Sequence, residues 1–252
     1  MNLAVSDFAW DNEQDIFYKK ISTIGINQIE IIIPKIKPWN QINDNMLNNH
    51  LTYLNSFNLK PKTMQSLFFG ADCNDITDTK KITDHLLRLI KISEILSINV
   101  LVFGSPILRK KVNNWEKSLK DIFLSIDSHL SKELEISIEP NSKIYGGEFF
   151  FSVDEIVSFI KKHNLKHVKT MIDTHNLIHE NLDPISELEK HFDYINHIHI
   201  SETNLSIISD TKFHRDFSKK IKEIGYNKTI TYEVKPHSEL INSIELFKEL
   251  YS

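Results

Sequence analysis

Four short segments in the second half of the chain could do chemistry together: ISIEP (136–140), VKTMIDTH (168–175), HIHISE (197–202) and TITYEVKP (229–236). In an extended strand successive side chains point to opposite faces. If Ile136 and Ile138 occupy one face, Ser137 and Glu139 share the other. By the same rule Asp173 and His175 lie opposite Val168, Thr170 and Ile172. His197 and His199 lie opposite Ile198 and Ile200, and Thr231 and Glu233 lie opposite Ile230, Tyr232 and Val234. Any one of these ionisable residues alone reads as structural, a Glu before Pro as a strand end or a lone His as a hydrogen-bonded core residue. Four in register, with Glu139, Asp173, His199 and Glu233 spaced by 34, 26 and 34 residues, point instead to one shared site. Two Glu, one Asp and one His gathered in a mostly dry cavity would repel one another unless a cation were present. The expected chemistry is therefore that of a divalent-metal centre. One nitrogen donor and three carboxylates make a hard, oxygen-rich set that favours Mn²⁺ or Mg²⁺, with Co²⁺ or Zn²⁺ as substitutes.

The elements that must position these residues are readable as an alternation. Strand candidates fall at 3–8, 28–33, 63–69, 100–104, 134–139, 167–173, 194–200 and 229–234. Amphipathic stretches lie between them, among them 83–96, 115–130, 153–164, 214–225 and a closing segment at 238–251. Strands alternating with helices imply a parallel sheet, and eight units of this size in 252 residues predict a (β/α)8 TIM barrel. A doubly wound open sheet is the rival, but the chain has no GxGxxG turn. Barrel active sites sit at the C-terminal ends of the strands, where all four segments place their ionisable residue. Gly25 and Gly225 each follow a helix-like run and precede a strand, as left-handed caps would. With no linker or shift in composition, residues 1–252 read as one domain.

Bulk properties narrow the function classes. A formal charge of −4, from 30 basic and 34 acidic residues, gives no basic excess for binding nucleic acid or an anionic membrane. The single cysteine, Cys73, excludes an intrachain disulfide and suits a reducing compartment. The opening residues lack a basic and then apolar leader, and no apolar run approaches the ~20 residues of a membrane helix. A cytoplasmic enzyme acting on a small molecule is the expectation.

The segments IEPN, IDTH, HIHISE and YEVKP resemble the metal-ligand segments of xylose isomerase-like TIM barrels, and MQSLFFG (64–70), LVFGSP (101–106) and EPNSKIYGGEFF (139–150) resemble the sugar isomerase/epimerase branch. The resemblance covers nearly the whole chain. It implies a Glu–Asp–His–Glu ligand set at Glu139, Asp173, His199 and Glu233, and a sugar or sugar-like substrate. It also implies an enediolate mechanism in which Glu139 and Glu233 move protons, and a possible homodimer. His197 is expected one layer below the metal. His175, His214, Gln65 and Tyr145 are candidate substrate contacts, with Phe68, Phe69 and Phe103 near the mouth; a solvent-facing helix start is the alternative for His214. The chain departs from the epimerase pattern at two places. Asn176 stands where a His is usual, with His175 one residue early, and Leu205 stands near the place of a sugar-gripping Arg. Both bear on substrate specificity. The same site would serve a sugar or inositol-derivative dehydratase, or a non-catalytic binding protein. An endonuclease-four-like nuclease would need further histidines from the first half of the barrel, where His50, His85 and His129 all fall in helix-like segments.

Overall fold

In the computed structural model, which describes residues 1–12 and 14–252, eight strands pair in sequence order and close into a barrel. They are β1 (Asn2–Ser6), β2 (Gln28–Ile31), β3 (Lys60–Met64), β4 (Val100–Phe103), β5 (Glu135–Ile138), β6 (Val168–Asp173), β7 (Ile195–Ile200) and β8 (Thr229–Tyr232). Every pairing is parallel, and β8 returns to β1. Helices of eight or more residues form the outer layer. An example is Thr79–Leu96, which buries Ile82, Leu86, Leu89, Ile90, Ile92, Ser93 and Leu96 on one stripe. Side chains place the helix starts: Asp78, Ser152, Asp183 and Asp210 each accept a backbone N–H from the first turn. Gly25 and Gly225 follow their helices at φ +89° and +73°, the left-handed conformation that favours glycine.

The eight expected strands are all present, and their boundaries show where local chemistry overrides pattern. The third strand occupies Lys60–Met64 and not 63–69. Ser66 turns the chain out of the sheet at φ +54°, so Gln65 to Phe69 form a loop above the barrel. Pro61, which has no N–H to give, sits where the pairing with β2 shifts register. In the first segment, Asp7–Ala9 leave the strand as a single 3₁₀ turn capped by Ser6.

The core is split by the barrel wall. Outward-facing residues such as Ile136, Ile138, Ile172, Ile198, Ile200 and Ile230 join the helices in one large apolar cluster. Val100, Val102 and Met171 form a separate small cluster. Buried polar side chains, including Ser6, Glu30, Thr63, Ser137, Asp173, His197, His199 and Thr231, alternate with those outward residues along the strands. Polar groups at this depth must find partners. Among the described residues no helix is long and apolar enough to cross a membrane.

Candidate metal centre and active site

The four strand-end residues converge. Glu139 follows β5, Asp173 ends β6, His199 lies one residue before the end of β7, and Glu233 follows β8. One ligand atom from each lies within 4.8 Å of the others. The Nδ1 of His199 is 3.3 Å from Glu233 Oε2, 3.6 Å from Glu139 Oε1 and 3.9 Å from Asp173 Oδ2. Atoms sharing one ion at about 2.0–2.3 Å stand no more than ~4.6 Å apart, so this spacing suits a common cation. His199 Nδ1 is buried and has no hydrogen-bond partner. An orphaned imidazole nitrogen facing three carboxylates is the donor arrangement a divalent ion takes, and the residues present fit one.

The backbone fixes each carboxylate. Glu139 N–H donates to Phe103 O at 3.2 Å, and Glu233 N–H donates to Ile200 O at 2.9 Å. Asp173 Oδ1 is occupied, accepting from Asn176 N at 2.8 Å and Ser201 Oγ at 2.9 Å. Only its other oxygen is turned to the centre. Glu139 Oε2 accepts from Asn141 Nδ2 at 2.8 Å. The same oxygen fills the space a Cβ would need at Gly104, 2.0 Å away. Glycine at the end of β4 is thus what allows Glu139 to enter the lumen.

Beneath the centre lies Glu30, on β2 and fully buried. Its Oε2 is 3.2 Å from both His199 Nε2 and His197 Nε2. An ionised carboxylate only accepts, so both rings donate from Nε2. That choice of tautomer leaves His199 Nδ1 free for the three acids above it. His197 lies in the layer below, as its parity implies, and pairs with Glu30.

Electrostatics follow from this stack. Burial works against the Glu30 anion, but the charge of His199 and hydrogen bonds from His197 and His199 outweigh it and hold Glu30 well below the usual carboxylate range. Burial works against His199 as a cation, but Glu30, Glu233 and Glu139 outweigh it and raise the ring well above 6.5. Burial, reinforced by the negative charges of Glu139 and Glu233, pushes Asp173 well above 3.8. Glu139 is lowered in spite of burial, by His199 and by the charge of Arg109.

The centre forms one corner of a cleft of about 530 Å³ at the C-terminal mouth of the barrel. Glu139, Asp173 and Glu233 line it, and so do Gln65, Tyr145 and His175. Gln65 is tied down through Nε2 to Ser6 Oγ at 2.6 Å. Tyr145 OH and His175 Nε2 are 3.1 Å apart. Burial, with the charges of Asp173, Glu233 and Glu139, pushes the Tyr145 hydroxyl up to about 12, so it stays protonated, and the tautomer of His175 sets which of the two donates. Burial lowers His175, and its Nδ1 has no partner. Asn176 also borders the cleft, but its side-chain oxygen is turned to Ser142 N–H at 3.3 Å. Phe68 and Phe69 after β3 and Leu205 after β7 are apolar lining residues, and among the described residues no Lys or Arg lines the cleft.

Two expectations are corrected. His214 does not line the cleft and is not solvent-facing: it is fully buried, with Nδ1 2.7 Å from Tyr251 OH and Nε2 3.2 Å from Glu202 Oε1. It ties the helix Thr211–Glu223 to the closing helix Leu240–Tyr251 and to the loop after β7. Phe103 also stays out of the cleft, packed edge-on between Phe68 and Phe123. Four supporting residues have no role assigned from sequence alone: Glu30, Arg109, Asn141 and Ser201. Glu30 had a signal, since it alternates with Ile29 and Ile31 exactly as the second-half acids do with their neighbours; Arg109, inside the basic run LRKK, had none. Arg109 is fully buried and donates to Phe103 O at 2.8 Å and Phe150 O at 3.2 Å.

The fold is shared with solved structures of several different activities. D-psicose 3-epimerase from Clostridium cellulolyticum H10 aligns with a TM-score of 0.76 at 13% identity over 100% of this chain and 98% of its own. An AP endonuclease, family 2, from Brucella melitensis aligns at 0.80 and 13% over 99% of each chain. A probable 3-DHS dehydratase from Bacillus anthracis aligns at 0.72 and 11% over 99% of this chain and 98% of its own. Identities this low carry the fold and not the reaction. No curated protein sequence matches the chain. Residues 18–250 match the family described as xylose isomerase-like TIM barrel, and the chain belongs to that family.

Proposed function

We propose that residues 1–252 form one catalytic domain, a metal-dependent sugar isomerase or epimerase that transfers a proton through an enediolate. The observation that carries this reading is the pair of carboxylates Glu139 and Glu233, which approach His199 Nδ1 to 3.6 and 3.3 Å and both border the cleft. Glu139, Asp173, His199 and Glu233 would hold one divalent ion, Mn²⁺ or Mg²⁺ by the donor set, which would polarise a substrate carbonyl. One glutamate removes the proton from the carbon beside that carbonyl, and the other returns a proton to the opposite face or to the neighbouring carbon. Asn141 and Gly104 keep Glu139 aimed at the cleft. Gln65, His175 and Tyr145, which line the cleft, would meet sugar hydroxyls. The absence of Lys and Arg from the lining favours a neutral sugar over a phosphate ester or a nucleic-acid strand.

The Tyr145–His175 pair supports a second reading. A protonated hydroxyl relayed through a ring at the cleft wall could protonate a departing substrate hydroxyl, which would make the same enolising step a dehydration. The test is product identity. The metal-loaded protein is incubated with a panel of neutral ketoses, aldoses and inositol derivatives, and products are resolved by chromatography and NMR. An epimer or aldose–ketose pair supports the isomerase reading, and loss of water supports the dehydratase. Binding without any product would replace both with a sugar-binding role.

A further inference from the structure

Outside the barrel lumen, Asp154, Glu187 and His191 bring together three potential ligand atoms, all within 4.8 Å of one another. Glu187 and His191 lie one turn apart on the helix Pro184–His191, so they share a face. Asp154 lies in the first turn of the neighbouring helix Val153–His163. The outer layer buries the two helix residues, leaving Glu187 9% and His191 7% exposed. One atom of each lacks a well-formed hydrogen bond: Glu187 Oε2 and His191 Nε2, both buried. His191 Nε2 stands 2.8 Å from Asp154 Oδ1, yet the pair does not meet hydrogen-bond geometry. Lys190 takes only the other oxygen of Asp154, Oδ2, at 2.5 Å. A buried carboxylate oxygen without a partner, beside a buried imidazole nitrogen held only by a poorly aligned contact to a half-exposed acid, is costly in a protein interior unless a cation completes the group.

We propose that Asp154, Glu187 and His191 form a second divalent-cation site, of the zinc class, on the outer wall of the barrel. One imidazole nitrogen and two carboxylate oxygens are a donor set that Zn²⁺ accepts, with water at the open side next to the half-exposed Asp154. The site is independent of the lumen centre and shares no residue with it. Its position gives it a structural role. The helix Val153–His163 leads into β6, which ends in Asp173, and the helix Pro184–His191 leads into β7, which carries His199. An ion here staples together the two helices that stand behind two residues of the lumen centre.

The experiment is equilibrium dialysis of the chelator-stripped full chain against Zn²⁺ alone, with metal counted per chain in wild type, Glu187→Gln and His191→Asn. Wild type is expected to hold one more zinc than either variant, whatever the lumen centre binds. Circular dichroism checks that the variants fold, and Asp154→Asn, at a half-exposed position, gives the same comparison if they do not. Anomalous scattering at the zinc edge from soaked crystals is expected to show a peak between the three side chains. Equal zinc counts in wild type and the folded variants, or no peak at this position, would overturn the proposal.

Discussion

Glu30 Oε2 lies 3.2 Å from His199 Nε2, on the side of the ring away from the carboxylates of Glu139, Asp173 and Glu233. This contact from the opposite side of the barrel selects the proton position on His199 and turns Nδ1 toward the lumen centre. Residues that orient a metal-binding imidazole in this way typically change affinity by 10–100-fold when altered. Glu30→Gln keeps the shape but removes the charge and allows the amide to present a donor to the ring. Titration calorimetry with Mn²⁺ is expected to show affinity weakened by about tenfold or more. Unchanged affinity would show that His199 needs no such partner.

Metal uptake should also displace protons. His199 is raised well above 6.5 and Asp173 well above 3.8, so each holds its proton to higher pH than the free side chain. A cation bound at Nδ1 requires the ring to lose that proton. Binding is expected to release at least one proton per ion, seen as calorimetric heats that vary with the ionisation enthalpy of the buffer, and affinity is expected to rise with pH. Heats independent of buffer would contradict this protonation of the centre.

Gly104→Ala should act through Glu139 alone. A Cβ at Gly104 would stand 2.0 Å from Glu139 Oε2, far inside contact distance. Gly104 is not at positive φ, so the substitution carries no backbone strain of its own. The carboxylate must move, and loss of most metal affinity and turnover is expected. Gly147→Ala is the control, since its Cβ would meet Arg109 Cβ at an ordinary 3.5 Å. Equal effects of the two substitutions, measured by metal titration, would sink this account of the cradle.

The loop after β7 carries its own pH dependence. Glu202 accepts from Ser209 N at 2.5 Å, Asp210 N at 2.8 Å and Ser209 Oγ at 2.6 Å, and contacts His214. Burial opposes the anion, but His214 and Ser209 outweigh it and lower Glu202 from 4.5 to about 2. A carboxylate with a depressed folded pKa adds stability above its unfolded pKa and loses it as pH falls through the folded one. Between about pH 4.5 and 2 the wild type is therefore expected to lose melting temperature that Glu202→Gln does not lose. Parallel melting curves of the two proteins across that range would contradict it.

The fold and the inward-facing acids were legible because both rest on periodicity. A two-residue alternation at the ends of β5 to β8 separates lumen from helix layer without knowledge of any contact. The same rule applied to QIEI would have brought Glu30 into the lumen, but a lone acid in the first half of the chain has no neighbouring strand to keep it in register with. Residues that act across sequence distance left no such mark. Arg109 and Ser201 are set by loop geometry, and His214 is decided by Tyr251, 37 positions away. The end of β3 was misplaced for a related reason. A single left-handed residue, Ser66, ended a run whose apolar content suggested that the strand continued.

The most direct test of proton transfer at the lumen centre is exchange of substrate carbon-bound hydrogen with deuterated solvent, followed by NMR in wild type, Glu139→Gln and Glu233→Gln. A metal count on each protein shows that the centre is still loaded. If the two glutamates shuttle the proton, both variants lose turnover by on the order of a hundredfold or more. One of them is expected to lose exchange altogether, and the other to retain slow exchange while forming little product. Exchange at the wild-type rate in both metal-loaded variants would contradict the account and leave Glu139 and Glu233 as ligands only.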